Sequence, residues 1–203
     1  MRSYGQYCGV ARALDVVGDR WSLLIVRELL ARPCRFTDLL DGLPGIARNL
    51  LSERLRALQA AELVARDDDR YVLTDRGCAL RPVLGELVRW SVPYMVHGAG
   101  EDEARGHWVG LAAEALFEGA DLAGLGGLEI GVDADAELLT LRVLETEGLR
   151  AHVGPATAPD VRLRGSMEGV LAALTGLPAP QPATVEGDVA RLRMLRERLP
   201  NPG

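Results

Sequence analysis

The sequence predicts an α+β protein in two parts: a mostly helical first half closed by a β-hairpin, then a second half with an antiparallel sheet covered by helices. Three observations predict it. Apolar residues recur at helical spacing through the segments before residue 61 and again from Asp75 to Tyr94. Short alternating runs bounded by turn formers dominate from Leu128 to Arg164. Charge divides the same way. Residues 1–97 hold 14 Arg against 12 acidic residues, a net of +2, whereas residues 98–203 hold 9 Arg against 17, a net of -8. A first half of that sign can face phosphates, and an acidic second half avoids them.

The first helix carries Val10, Leu14 and Val17 on one face and ends at Gly18-Asp19. In the second, Trp21, Leu24, Ile25 and Leu29 form one stripe and Leu23, Val26 and Leu30 another. A helix apolar on two sides belongs at the centre of its domain. Pro33 stops it. A short third helix has Thr37 as its expected N-cap, with Leu39 and Leu40 facing inward. The run Asp41–Gly45 is dense in turn formers. A fourth helix is expected from Ala47 to Ala60, buried through Leu51, Leu55 and Leu58. Its other face carries Arg48, Asn49, Ser52 and Arg56, with Arg54 on the flank. Leu63–Arg66 and Tyr71–Thr74 read as hairpin strands around the polar turn Asp67–Arg70. A fifth helix, Asp75 to Tyr94, places Leu80, Val83, Leu84, Leu87, Trp90 and Tyr94 at helical spacing. The expected organisation is a first domain over 1–97, a linker over 98–104 and a second domain over 105–203.

Two helices, a tight turn, a helix with a polar face and a hairpin follow the order of a winged helix-turn-helix. A helix fits the major groove of B-form DNA, where base edges carry a distinguishing donor and acceptor pattern. On this reading Arg48 pairs with guanine or phosphate and Asn49 reads adenine edges. Ser52 and Arg56 touch bases or backbone, with Arg54 and Arg70 as further contacts. Arg35 and Thr37 hold a phosphate at the start of the third helix. A solvated polar face would share this composition; the turn before the fourth helix and the hairpin after it favour DNA.

Other chemistries find little support. Cys8, Cys34 and Cys78 are odd in number with no C-x-x-C spacing. His97, His107 and His152 lie near no cysteine. Neither a disulfide framework nor a metal or other cofactor is expected. No nucleophile–base set is visible, so an enzyme is the least expected class. No apolar run reaches the roughly 18 residues of a membrane helix. The start lacks the layout of a signal peptide. A cytoplasmic protein without a membrane partner is expected.

Several separated motifs carry a resemblance. Tyr7–Trp21 (YCGVARALDVVGDRW), Leu23–Leu29 (LLIVREL), Arg35–Leu39 (RFTDL), Pro44–Arg56 (PGIARNLLSERLR) and Leu73–Gly77 (LTDRG) occur in order. Over residues 4–96 the chain resembles the HxlR-type winged-helix regulators, which are similar in architecture to the MarR group. The resemblance implies a homodimer built on the first and fifth helices. It implies a palindromic double-stranded operator with half-sites about one helical turn apart. It also implies that Cys8 occupies the place of a redox- or electrophile-sensing cysteine. The chain departs from the pattern twice. Gly9 stands where a proline often follows that cysteine, and the wing tip Asp67-Asp68-Asp69 is acidic, leaving Arg66 and Arg70 to reach DNA.

In the second half a helix is expected over 107–117. Strands follow at Leu128–Asp133, Leu138–Leu144, Leu149–Val153 and Asp160–Arg164, as an antiparallel meander. Ser166 caps a helix that Gly176 ends; Ala183–Glu186 adds a strand, and Asp188 caps a last helix. Asp160–Ser166 (DVRLRGS), Val170–Gly176 (VLAALTG) and Val185–Asp188 (VEGD) resemble the sterol-carrier-protein-2-like fold over residues 105–200. That resemblance implies an apolar tunnel for a hydrophobic small molecule. Trp108, Leu111, Leu116, Phe117, Val170, Leu171 and Leu174 are its expected lining; the same residues would equally fill a packed core. The favoured function is a DNA-binding regulator modulated by an apolar ligand. The alternatives are a lipid-like carrier with a vestigial helix-turn-helix and a second half that only assembles oligomers.

Overall fold

The computed structural model describes residues 3–95 and 98–200. His97, and with it the expected end of the first domain, lies outside the described residues. By contacts the chain divides into two compact units, Met1–Leu84 and Gly85–Gly203. Residues 98–104 form neither helix nor strand.

The first unit opens with α1 (Gly9–Val17) and α2 (Ser22–Ala31). A two-residue strand β1 (Cys34–Arg35) leads into α3 (Phe36–Gly42) and α4 (Arg48–Ala60). Strands β2 (Val64–Asp67) and β3 (Arg70–Leu73) make the hairpin, then come α5 (Asp75–Cys78) and α6 (Arg81–Met95). As the two-sided apolar pattern requires, α2 is central: Ile25, Val26 and Leu29 are buried. From α4, Leu51, Leu55 and Leu58 join Ile25, Leu39, Leu43 and Leu63 in one core. Their i, i+4, i+7 spacing puts all three on the same face of α4 and leaves the opposite face to solvent.

Three expectations change in this unit. The sequence offered no signal for β1; Cys34 and Arg35 pair with Tyr71 and Arg70, making a three-stranded sheet in the order β1-β3-β2. Thr37 is not the N-cap of α3. Arg35 holds that position, and the Asp38 carboxylate accepts its backbone N–H at 2.8 Å. The fifth helix is two helices, α5 and α6. Pro82, in the first turn of α6, has no N–H to donate, and its ring would clash with the Cys78 carbonyl in an unbroken helix.

The second unit contains the body of α6, then α7 (Trp108–Leu116), β4 (Glu129–Ala134), β5 (Glu137–Leu144), β6 (Gly148–Val153), β7 (Val161–Gly165), α8 (Met167–Thr175), β8 (Thr184–Gly187) and α9 (Val189–Glu197). The five strands lie in the order β6-β5-β4-β7-β8. The expected antiparallel meander is corrected to a mixed sheet. β4, β5 and β6 are antiparallel neighbours, but β7 runs parallel to β4, with Ile130 opposite Val161. The strand order demands a crossover: residues 154–160 pass over the sheet, and Ala156 and Pro159 come within 3.3 Å of where a Cβ on Gly131 would sit. Ser166 and Asp188 cap α8 and α9 by accepting from Gly169 and Arg191. Gly176 ends α8 at φ 80°, a conformation glycine adopts without the cost of a Cβ. On the edge strand β6, the outward N–H of Ala151 is satisfied by the buried Glu114 carboxylate of α7 at 2.8 Å. This closes part of an edge that would otherwise template further strand pairing.

Candidate nucleic-acid interface

The outward face of α4 begins at its first residues. Arg48 and Asn49 are exposed, and among the described residues neither side chain has a hydrogen-bond or ion-pair partner. One turn on, the Ser52 hydroxyl donates to the Arg48 carbonyl at 3.0 Å, and Arg56 Nε donates to the Ser52 carbonyl at 3.2 Å. These bonds lay Ser52 and Arg56 along the helix without burying their polar ends. Arg54 is different. Its side chain is 15% exposed, pairs with Asp19 at 3.3 Å and Glu53 at 2.9 Å, and donates to the Arg20 carbonyl at 3.3 Å. It ties α4 to the turn between α1 and α2 and does not share the free face.

The α3 and wing residues are also committed. At the start of α3 the Asp38 carboxylate accepts the Arg35 N–H, so that one amide is already satisfied. Thr37 itself is exposed. Arg35 Nε lies 2.7 Å from Asp69 Oδ2 at the wing tip. Arg70 Nη1 donates to the Pro33 carbonyl at 3.3 Å. Arg66 Nε donates to the Asp68 carbonyl at 3.0 Å, with its guanidinium 5.4 Å from the Tyr71 ring centroid. Asp68 turns the hairpin at φ 50°, a left-handed conformation that Asp tolerates better than most residues. At the hairpin's exit the Leu63 carbonyl accepts from Thr74 N at 3.1 Å, and a Cβ on Gly77 would come within 2.1 Å of that oxygen. The LTDRG motif thus needs its glycine for close backbone approach.

Cys8 is exposed at the N-cap of α1. The amides of Ala11 and then Val10, at the open start of the helix, draw its thiol pKa down, against a smaller opposing effect of burial. Arg12, one turn along α1, is directed to Asp15 and Ser3, each at 3.5 Å. Cys34 is the opposite case: burial pushes its thiol up to about 11. Cys78 is exposed. Of the seven apolar residues singled out in the second half, Phe117, Val170 and Leu174 are buried in the core, and Trp108, Leu116 and Leu171 pack at its margin. Leu111 is half-buried. A cleft of about 730 Å³ is lined by Glu114, Phe117, Glu118, Leu122, Leu144 and Arg150 among others; of the seven, Phe117 alone reaches it. Among the described residues no His, Cys, Asp and Glu side chains group as a metal site would require.

The family model for HxlR-like helix-turn-helix proteins matches residues 16–98. The uncharacterized HTH-type transcriptional regulator YvaP of Bacillus subtilis (strain 168) is 37% identical over 91 residues, which cover 41% of this chain and 84% of YvaP. This chain belongs to the HxlR-like helix-turn-helix family. A second relative of this HxlR-like chain is the HTH-type transcriptional regulator YodB of the same strain. It is 34% identical over 86 residues, covering 39% of this chain and 77% of YodB. The crystal structure of quinone-bound YodB from B. subtilis aligns with 35% identity over 40% of this chain and 93% of that chain, with a TM-score of 0.39. The HxlR-like segment runs from the end of α1 through α6 and contains every residue of the α4 face and the wing; Cys8 lies ahead of it. The protein is therefore an HxlR-type transcriptional regulator, a class that binds DNA. Sequence reasoning missed Asp38, Asp69 and Glu28 as organisers of this HxlR-like surface. The sole available signal was acids spaced close to arginines, a pattern that surface charge shares.

Proposed function

We propose that the protein acts as a homodimer that binds a palindromic operator, inserting α4 into the major groove of each half-site. Arg48 and Asn49 carry the reading: they are exposed, adjacent, at the start of a helix anchored by three buried leucines, and have no partner to give up among the described residues. Both can make the bidentate contacts that discriminate base pairs. Ser52 and Arg56 flank them, while Arg35, Thr37 and Arg70 face the phosphates. Arg54 is a positioning residue that holds α4 against the turn before α2.

Exposed apolar side chains support the dimer. Tyr4, Tyr7, Val10 and Leu14 present an uncovered surface at α1 and the segment before it; Val83, Leu87, Trp90, Tyr94 and Met95 do so on α6. Several large apolar side chains exposed on one helix mark an association site. The functional division is taken as residues 1–97 for DNA binding and dimerisation, 98–104 as linker and 105–203 as a sterol-carrier-protein-2-like module. In that module the cleft that Phe117 reaches receives an apolar ligand. The protein works in the cytoplasm and is not an enzyme. Cys8 is a redox-sensing position. YodB has been crystallised with quinone bound, and a quinone is the class of molecule to try first at this thiol.

Selection from random duplexes at stated salt tests the central reading. The wild-type protein enriches a two-fold symmetric sequence. Arg48→Ala and Asn49→Ala each lose roughly 1–3 kcal/mol of discrimination at the base they contact. Equal retention of all sequences by wild type and both variants would remove this function. The thiol reading is tested by alkylation against pH. Because its pKa is lowered, Cys8 reacts faster than Cys34 throughout the neutral range, and its rate climbs as pH rises through an ionisation below that of an ordinary thiol. Equal rates at the two cysteines would argue against a sensor.

A further inference from the structure

We propose that Asp69 sets DNA affinity by holding Arg35, so that the wing tip restrains phosphate contact until DNA displaces it. The inference rests on the proposed DNA-binding face and concerns the strength of its grip. The hairpin Val64–Leu73 carries three carboxylates, Asp67, Asp68 and Asp69, against two guanidiniums, Arg66 and Arg70. Each guanidinium next to the tip already has an acceptor: Arg66 the Asp68 carbonyl, Arg70 the Pro33 carbonyl and Arg35 the Asp69 carboxylate. Only the last of these is a full ion pair. Arg35 and Asp69 side chains are 56% and 58% exposed, so water and a phosphate oxygen can both reach the pair.

A duplex laid against α4 brings phosphates toward the end of β1 and the wing, since Arg35 precedes α3 and is paired across the sheet with Arg70. Arg35 then exchanges one anionic oxygen for another. That exchange yields little net attraction while Asp69 stays alongside, because the carboxylate repels the incoming phosphate. The pair therefore subtracts one cation per protomer from the set that releases counterions on binding. The consequence is a regulator that relies on α4 for its hold on DNA and resists non-specific adherence to duplexes.

The test compares wild type, Asp69→Asn, Arg35→Ala and the double variant on a mixed-sequence duplex, titrated across salt concentrations. Asp69→Asn keeps an amide oxygen that can accept from Arg35 and removes only the charge. It is expected to tighten binding by about 3–10-fold at moderate salt and to steepen the log K against log salt slope by about 0.9 per protomer. Most of both gains is lost when Arg35 is already alanine, leaving only the smaller relief of Asp69's own repulsion of phosphate. An unchanged slope in Asp69→Asn, weaker binding, or a gain of equal size in the Arg35→Ala background would each overturn the proposal. Arg48→Ala on the same duplex separates the two readings. If wild type and Arg48→Ala alike fail to retain DNA, the DNA-binding face itself is misassigned and this inference falls with it. If Arg48→Ala weakens binding while Asp69→Asn changes nothing, the face stands and the restraint does not.

Discussion

Leu55→Ala lowers the stability of the first unit by about 2–5 kcal/mol and weakens DNA binding without touching a contact residue. Leu55 is 1% exposed and stands midway between Leu51 and Leu58, which are buried as fully. Removing three carbons there leaves a cavity that neighbours cannot close, because Ile25 and Leu39 are held on two other helices and Leu43 at the end of one of them. The loss is local to the platform that aims Arg48 and Asn49. Urea unfolding should show a lower midpoint, and hydrogen exchange should quicken at the α4 amides. Arg48→Ala is the counterpart: an exposed site, with stability within about 0.5 kcal/mol of wild type but discrimination lost. A Leu55→Ala protein as stable as wild type would mean that α4 is not anchored through this stripe, and the rigid presentation of its outer face would lose its basis.

The sequence made α4 legible because its two faces differ in kind: leucines at i, i+4 and i+7 against Arg, Asn, Ser and Arg. The hairpin was legible for a similar reason, since Asp67–Arg70 interrupts two alternating runs. What escaped was fixed by distant partners. β1 is two residues long and exists because Tyr71 and Arg70 present a strand edge to it. The parallel placement of β7 depends on where the crossover at residues 154–160 lands, and no local pattern encodes that. The break between α5 and α6 was encoded, in Pro82, but the apolar spacing of Leu80, Val83 and Leu84 runs smoothly across it and concealed it. For the candidate site, the residue types were readable and their availability was not. Arg35, Arg48, Arg54, Arg56 and Arg70 look alike in sequence. The ion pairs to Asp69 and Asp19 separate Arg35 and Arg54 from Arg48.

Glu28 illustrates the same limit and carries the other large expected effect. It sits in the apolar run of α2, where a charged residue reads as solvent-facing, yet it is 4% exposed. Arg27 meets one of its oxygens with Nε at 3.0 Å and Nη2 at 2.7 Å, and reaches on to the Gly42 carbonyl at the end of α3 at 3.4 Å. Burial draws the Arg27 pKa down, and the Glu28 carboxylate pushes it back up, so each ion makes the other tolerable. Glu28→Ala breaks a buried pair and is expected to cost toward the lower end of about 3–5 kcal/mol, because Arg27 keeps some access to water. Gly42→Ala acts on the same pair from the other side: its Cβ would fall 2.4 Å from Glu28 Oε2 and 2.9 Å from Cδ. A surface carboxylate would swing away, but this one is enclosed, so the substitution costs about 1–3 kcal/mol despite alanine's better helix propensity. The two effects are not independent. With Glu28 already alanine, nothing obstructs the Cβ at residue 42, and the double variant should be more stable than the sum of the singles implies by about 0.5–3 kcal/mol. Denaturant unfolding of all four proteins measures this. Additivity within about 0.5 kcal/mol would show that Gly42 is small for some reason other than the carboxylate, and that α2 and α3 are not joined through this ion pair.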